Sequence, residues 1–180
     1  MAKRKAIMMY LEQVRVYGVP VSVTRSEVLF SESGERTVKP HNMVYEKADN
    51  KTMGEAFLNE LIYVLGAADG EDRQLPFNCE ILVYTSNERD TENYRTFVYG
   101  MSTGGRFPVH ELPSGREIPI HNFKLCQKLY ELCKERGYHL TFFNDGLLCG
   151  SVRNAALTEL NNRLKERNEG ERGEQDASGK

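Results

Sequence analysis

Cys79-Glu-Ile-Leu-Val-Tyr-Thr85 is the stretch that most constrains this chain. A near-continuous apolar run of that length is expected for a strand buried on both faces, so the sheet holding it needs cover. The preceding residues read as further strands. Ala6 to Val16 is apolar and β-branched, and Val19-Pro-Val-Ser-Val-Thr alternates with period two and continues to Phe30. Ser31 to Glu35, with Gly34, reads as a turn, and a third strand runs from Arg36 to about Lys47. Three strands in succession with short connections imply an antiparallel meander.

The period then changes. Asp49 and Asn50 offer an N-cap, and Phe57, Leu58, Leu61, Ile62 and Leu65 make an apolar stripe at helical spacing. After a polar connection from Asp69 to Asn78 comes the central strand. Asn87 to Arg95 suits a short helix, and a Gly- and Pro-rich loop fills Gly100 to Pro119. A second long helix carries Phe123, Leu125, Leu129 and Leu132, with Gly137 where a C-terminal cap belongs. Tyr138 to Phe143 is a fifth strand. Val152 to about Arg167 is a final helix with Ala156, Leu157, Leu160 and Leu164 on one face. The order β-β-β-α-β-(loop)-α-β-α implies a mixed α/β sheet, part antiparallel and part parallel, flanked by helices.

Length and charge narrow the function classes. The 180 residues suit one domain, assigned to residues 1–168, and the Gly- and Glu-rich residues 169–180 are expected to be a disordered tail. Lys and Arg number 24 against 26 Asp and Glu, a net charge of −2, which argues against a surface that clamps nucleic acid all round but permits a local basic patch. No apolar run nears the roughly 18 residues of a membrane span. The basic N-terminus is followed by a stretch containing Tyr10 and Glu12 and no cleavage pattern, so secretion is not expected. Cys79, Cys126, Cys133 and Cys149 form no CxxC pair or zinc spacing, so free buried thiols in a reducing cytoplasm are expected.

Two segments carry a resemblance to a family. Ile118-Pro-Ile-His-Asn-Phe-Lys-Leu-Cys-Gln-Lys-Leu129 is similar to the ribonuclease H segment in which Pro-x-x-Asn leads into a helix. Gly150-Ser-Val-Arg-Asn-Ala-Ala-Leu-Thr-Glu-Leu160 resembles the family's closing Gly-x-x-x-Asn-Glu-x-Ala-Asp-x-Leu. With the element order, the resemblance covers about residues 6 to 166 and implies the ribonuclease H-like five-stranded mixed sheet, of ribonuclease HI type.

In that family four carboxylates hold two magnesium ions about 4 Å apart, which clamp the attacking water and the leaving oxygen of an RNA strand paired with DNA. The resemblance carries those four positions onto Glu12, Glu55, Ser86 and Thr158. Two are acids and two are neutral hydroxyls. Mg²⁺ prefers charged oxygen and sheds water reluctantly, so the pair is no substitute for two carboxylates. The site therefore reads as degenerate. No cofactor is expected, although Glu12 and Glu55, with Asp145 or Asp90 from nearby loops, would be the ligands for Mg²⁺ or Mn²⁺ in an active protein. The family's catalytic-loop histidine falls near Leu147 or Leu148, with no histidine within reach in sequence.

The remaining features are plainer. Gly100 to Arg106 lacks the Gly-Lys-Ser/Thr ending of a phosphate loop and reads as a flexible connection. The family can carry a basic, substrate-gripping protrusion in this region, but here Arg95, Arg106 and Arg116 are spread among Gly and Pro and offset by Glu111 and Glu117. His41, His110, His121 and His139 are scattered, and His139 suits a hydrogen-bonded core or edge position. Cys149 near a helix start has no nearby general base to make it a nucleophile. Lys124 and Lys128 lie one turn apart and could touch phosphates, although Glu131 and Glu135 make an ordinary solvated face the simpler account. Asn154, at a position that contacts nucleic acid in the family, is equally explained as a helix cap.

Three functions remain open. The first is a ribonuclease H-like domain that has lost most of its metal site and acts by binding nucleic acid or a protein. The second is a working metal-dependent ribonuclease that cuts RNA in RNA–DNA hybrids. The third is a structural or regulatory interaction domain with no nucleic-acid contact.

Overall fold

The computed structural model describes the backbone of residues 5–16, 18–32, 35–46, 50–67, 75–87 and 90–178. The expected turn at Gly34 and the cap at Asp49 lie outside those residues, as does most of the connection before Asn78. Three strands come first: β1 (Ala6–Arg15), β2 (Ser22–Glu32) and β3 (Glu35–Tyr45). They are followed by α1 (Asn50–Leu65), β4 (Glu80–Thr85) and α2 (Asp90–Ser102). A hairpin of β5 (Val109–Glu111) and β6 (Glu117–Pro119) precedes α3 (Phe123–Arg136), β7 (His139–Asn144) and α4 (Gly150–Ser178).

The main sheet has the order β3-β2-β1-β4-β7. β1 pairs antiparallel with β2 and parallel with β4, and β4 pairs parallel with β7. Adjacent parallel strands need a crossover, which α1 supplies between β1 and β4, and α2, the hairpin and α3 supply between β4 and β7. Strand alternation then sorts β1 into two faces. Ile7, Met9 and Leu11 join Ile81, Val83, the α1 stripe and Cys126, Leu129 and Cys133 of α3 in the main core. Val14, with Val21 and Val23 of the second strand region, packs instead on Ala156 and Leu160 of α4.

Three expectations are corrected. The Gly- and Pro-rich loop holds the end of α2 and a two-stranded sheet. Gly100 lies within α2, where a side chain would collide with the Phe107 ring packed against it. The central strand is not buried on both faces: Ile81, Val83 and Thr85 are buried, while Glu80, Leu82 and Tyr84 are half-buried. The reason is that α4 packs on β1 and β2 and leaves β4 and β7 uncovered on that side. Finally, α4 runs on to Ser178, past the end expected near Arg167, through Glu, Arg, Gln and Ala that favour helix.

Gly137 caps α3 as expected, with φ 69° and its N–H donating to the Cys133 carbonyl. All four cysteines are free and buried. Among the described residues, no helix is long and apolar enough to cross a membrane.

Candidate functional site

Glu12 points to the α4 side of β1 and is 0% exposed. Burying a carboxylate is costly unless its oxygens are satisfied. Here Ser86, just beyond the end of β4, satisfies both. Its backbone N–H donates to Oε1 at 2.6 Å and its hydroxyl to Oε2 at 2.7 Å. The parallel register sets this up, since Tyr10 lies opposite Tyr84 and the residues two further along each strand meet on one face.

α4 closes the site from above. Cys149, buried immediately before the helix, is hydrogen-bonded to Glu12, and burial, that carboxylate and Asp145 push its thiol up to about 12. It is therefore a neutral donor and not a nucleophile. One turn later Arg153 donates from Nη1 to the Ser86 hydroxyl oxygen at 3.4 Å. Asp145 is engaged by the backbone instead. Its Oδ1 accepts from the N–H groups of Leu147 at 3.0 Å and Leu148 at 3.1 Å, shaping the turn into α4.

The other expected site positions lie elsewhere. Glu55 is exposed and lines a cleft of about 450 Å³ with His121, Asn122 and Lys124. No described hydrogen bond or ion pair joins it to Glu12 or Ser86. Thr158 is also exposed, and its hydroxyl donates to the Asn154 carbonyl at 3.0 Å. It follows buried Ala156 by two residues, roughly 200° around the helix, so it faces away from the sheet. The side chain of Asp90 lies outside the described residues. Leu147, where the family's histidine would fall, is 95% exposed.

The residues do not fit a pair of divalent ions. Glu12 has both oxygens engaged by uncharged donors, Asp145 holds a turn, and Glu55 and Thr158 lie apart. Among the described residues, no group of three His, Cys, Asp or Glu side chains is placed to hold a metal ion.

Lys124 and Lys128 are exposed on α3, and Asn154 is exposed on α4. Lys128 lines a groove between α1 and α3 with Glu131 and Glu135, which offset its charge. The hairpin is no basic grip: Glu111 and Glu117 stand directly opposite each other, with the exposed Arg116 in the turn between its strands. His139 is exposed on β7, which is the sheet edge.

Sequence reasoning missed two clusters. Glu60 of α1 is 0% exposed, accepts from the Ser26 hydroxyl, and lies 2.8 and 2.9 Å from His41 Nδ1, pinning α1 to β2 and β3. Its place on the edge of the apolar stripe was the available signal. The second cluster is a row of rings, Tyr10, Tyr84 and Phe143, on three adjacent strands. No local pattern reveals it, because it needs the register of two parallel pairings.

Comparison with known proteins agrees on architecture. No family model matches the chain, and no curated protein matches it in sequence. Among solved structures, LC9-RNase H1, described as a type 1 RNase H with the type 2 active-site motif, superposes with a TM-score of 0.50 at 11% identity. The match covers 79% of this chain and 64% of that one, so the chain spans under two thirds of that structure. RNase H1 of the archaeon Halobacterium salinarum matches over 86% of this chain and 98% of its own, at 12% identity and TM-score 0.49. LC11-RNase H1 in complex with an RNA/DNA hybrid matches at 12% identity and TM-score 0.36, over 76% of this chain and 84% of that one. The chain has a ribonuclease H-like fold.

Proposed function

We propose that this protein is a ribonuclease H-like domain without hydrolytic activity, which binds the backbone of nucleic acid, an RNA–DNA hybrid included. The observation that carries the reading is the state of Glu12. Where a nuclease of this fold needs bare carboxylate oxygens for metal, both oxygens accept from Ser86 and a third donor, Cys149, sits against them. A cation entering there would have to displace three neutral donors and would find one carboxylate in return. Lys124, Lys128 and Asn154 remain exposed and available to phosphates, and with a net charge of −2 the grip is weak and salt-sensitive.

The test is incubation of the purified protein with a labelled RNA–DNA hybrid and millimolar Mg²⁺ or Mn²⁺. The hybrid should stay intact, while fluorescence anisotropy reports binding at low salt that weakens as salt rises. Lys124→Glu combined with Lys128→Glu should reduce that binding. Metal-dependent cleavage that disappears in Glu12→Gln would overturn the reading and favour an active ribonuclease.

A further inference from the structure

The face of the sheet that α4 leaves open is not a featureless apolar surface. Tyr10, Tyr84 and Phe143 occupy matching positions on β1, β4 and β7. Their ring centroids are 5.4 and 5.0 Å apart, with interplanar angles of 28° and 19°. Full overlap would bring ring planes to about 3.5 Å, so these separations mean offset stacking, each ring sliding off its neighbour and keeping part of its face open. The Tyr10 hydroxyl reaches Met8 Sδ at 3.6 Å, two residues back on the same strand, so that side chain leans back along β1. Phe143 ends the row at the sheet edge, 40% exposed.

A cation stands beside the row. Arg153 is exposed, and the described hydrogen bond of its guanidinium is the 3.4 Å contact to Ser86, two residues beyond Tyr84. No described carboxylate forms an ion pair with it. The acids nearby are largely occupied by partners of their own: Glu27 by Arg25 at 2.8 Å, Asp145 by two backbone N–H groups, Glu12 by Ser86. Glu80, like Glu27, is a half-buried acid on this face.

We propose that this face binds single-stranded nucleic acid, with unpaired bases stacked on Tyr10, Tyr84 and Phe143 and a phosphate held by Arg153. Sheet-borne rings serve this purpose because every base has a π-face, and a guanidinium supplies the matching charge. A purely apolar protein partner fits less well. Glu27 continues the ring row onto β2, and the rows beside it carry Thr141, Glu80 and His139, which break the apolar surface of Met8 and Leu82, and nothing in such a partner would answer Arg153. The rings take no part in the contacts of Glu12 with Ser86 and Cys149, so single-strand binding here is independent of whether the protein cuts RNA.

The experiment uses the full chain and a fluorescein-labelled oligouridylate, with oligothymidylate alongside, read by anisotropy over a salt series. The wild type should bind both. Phe143→Leu and Tyr84→Leu keep apolar bulk and remove the π-face, and each should weaken binding at least about fivefold, the lower end for one stacked base. Arg153→Ala should weaken binding and flatten the salt dependence by about one unit of slope. Absence of binding at low salt would overturn the proposal. So would wild-type affinity in Phe143→Leu, which would leave the surface to a protein partner. Phe143 is exposed on an edge strand, so that variant stays informative if Tyr84→Leu fails to fold. A hybrid that is neither cut nor bound leaves this test intact, because its readout is the single strand alone.

Discussion

Ser86→Asp would set a second carboxylate against the one already buried at Glu12. The variant loses the hydroxyl that donates to Glu12 Oε2 at 2.7 Å. A hydrogen bond to a charged acceptor contributes about 1.5–3 kcal/mol. Two like charges about 4 Å apart also repel by about 4 kcal/mol at an effective dielectric near 20. Uptake of one proton by the pair limits that repulsion. The cost should still exceed that of Ser86→Ala, which loses the hydrogen bond without adding charge. At about 2–4 °C per kcal/mol for a chain of this size, Ser86→Asp should melt about 10 °C or more below wild type in EDTA. Millimolar Mg²⁺ should then raise its melting temperature, because a second carboxylate creates a cation site and a ligand that binds only the folded state stabilises it. The wild type should show no such response. Differential scanning fluorimetry with and without metal reads all three proteins. If Ser86→Asp melts with Ser86→Ala and ignores Mg²⁺, the arrangement of Glu12 against Ser86 is refuted.

Two further perturbations probe the rest of the molecule. The Cys149 thiol lies at about 12 in the fold against 9.0 when free. A raised thiol contributes stability that is complete below pH 9.0 and is lost as pH climbs through the folded value, so the melting temperature should fall over that alkaline window. Cys126 and Cys133, pushed up to about 11 and about 12 by burial, act in the same direction. Cys149→Ala should make the alkaline decline shallower, and an unchanged slope would contradict the assignment. His41→Ala removes a hydrogen-bond partner from fully buried Glu60 and should cost about 1.5–3 kcal/mol in urea unfolding. Glu60→Gln, which removes the charge and keeps hydrogen-bonding atoms, should cost less; a neutral His41→Ala would show that the pair does not hold α1 in place.

Much of the architecture is legible from local pattern. The stripe Phe57 to Leu65 and the Gly137 cap place α1 and the end of α3, because helical burial repeats within one turn and a positive φ favours glycine. The hairpin of β5 and β6 was not legible: each strand is three residues long, too short for alternation to register against Gly and Pro. The extension of α4 to Ser178 escaped for the opposite reason, since polar helix formers carry no apolar stripe.

The candidate site divides along the same line. That Ser86 and Thr158 are not acids is written in the chain, and no folding changes their charge. Whether four positions share a site is a question of distance, which alternation along strands and rotation about α4 decide. They set Glu12 against Ser86, bring in Cys149 and Arg153, and turn Thr158 outward. The open ring row has the same origin. Tyr10, Tyr84 and Phe143 are 74 and 59 residues apart in sequence, and pairing in register makes them neighbours. Chemistry resides in single residues and can be read one at a time, whereas convergence belongs to the packed chain.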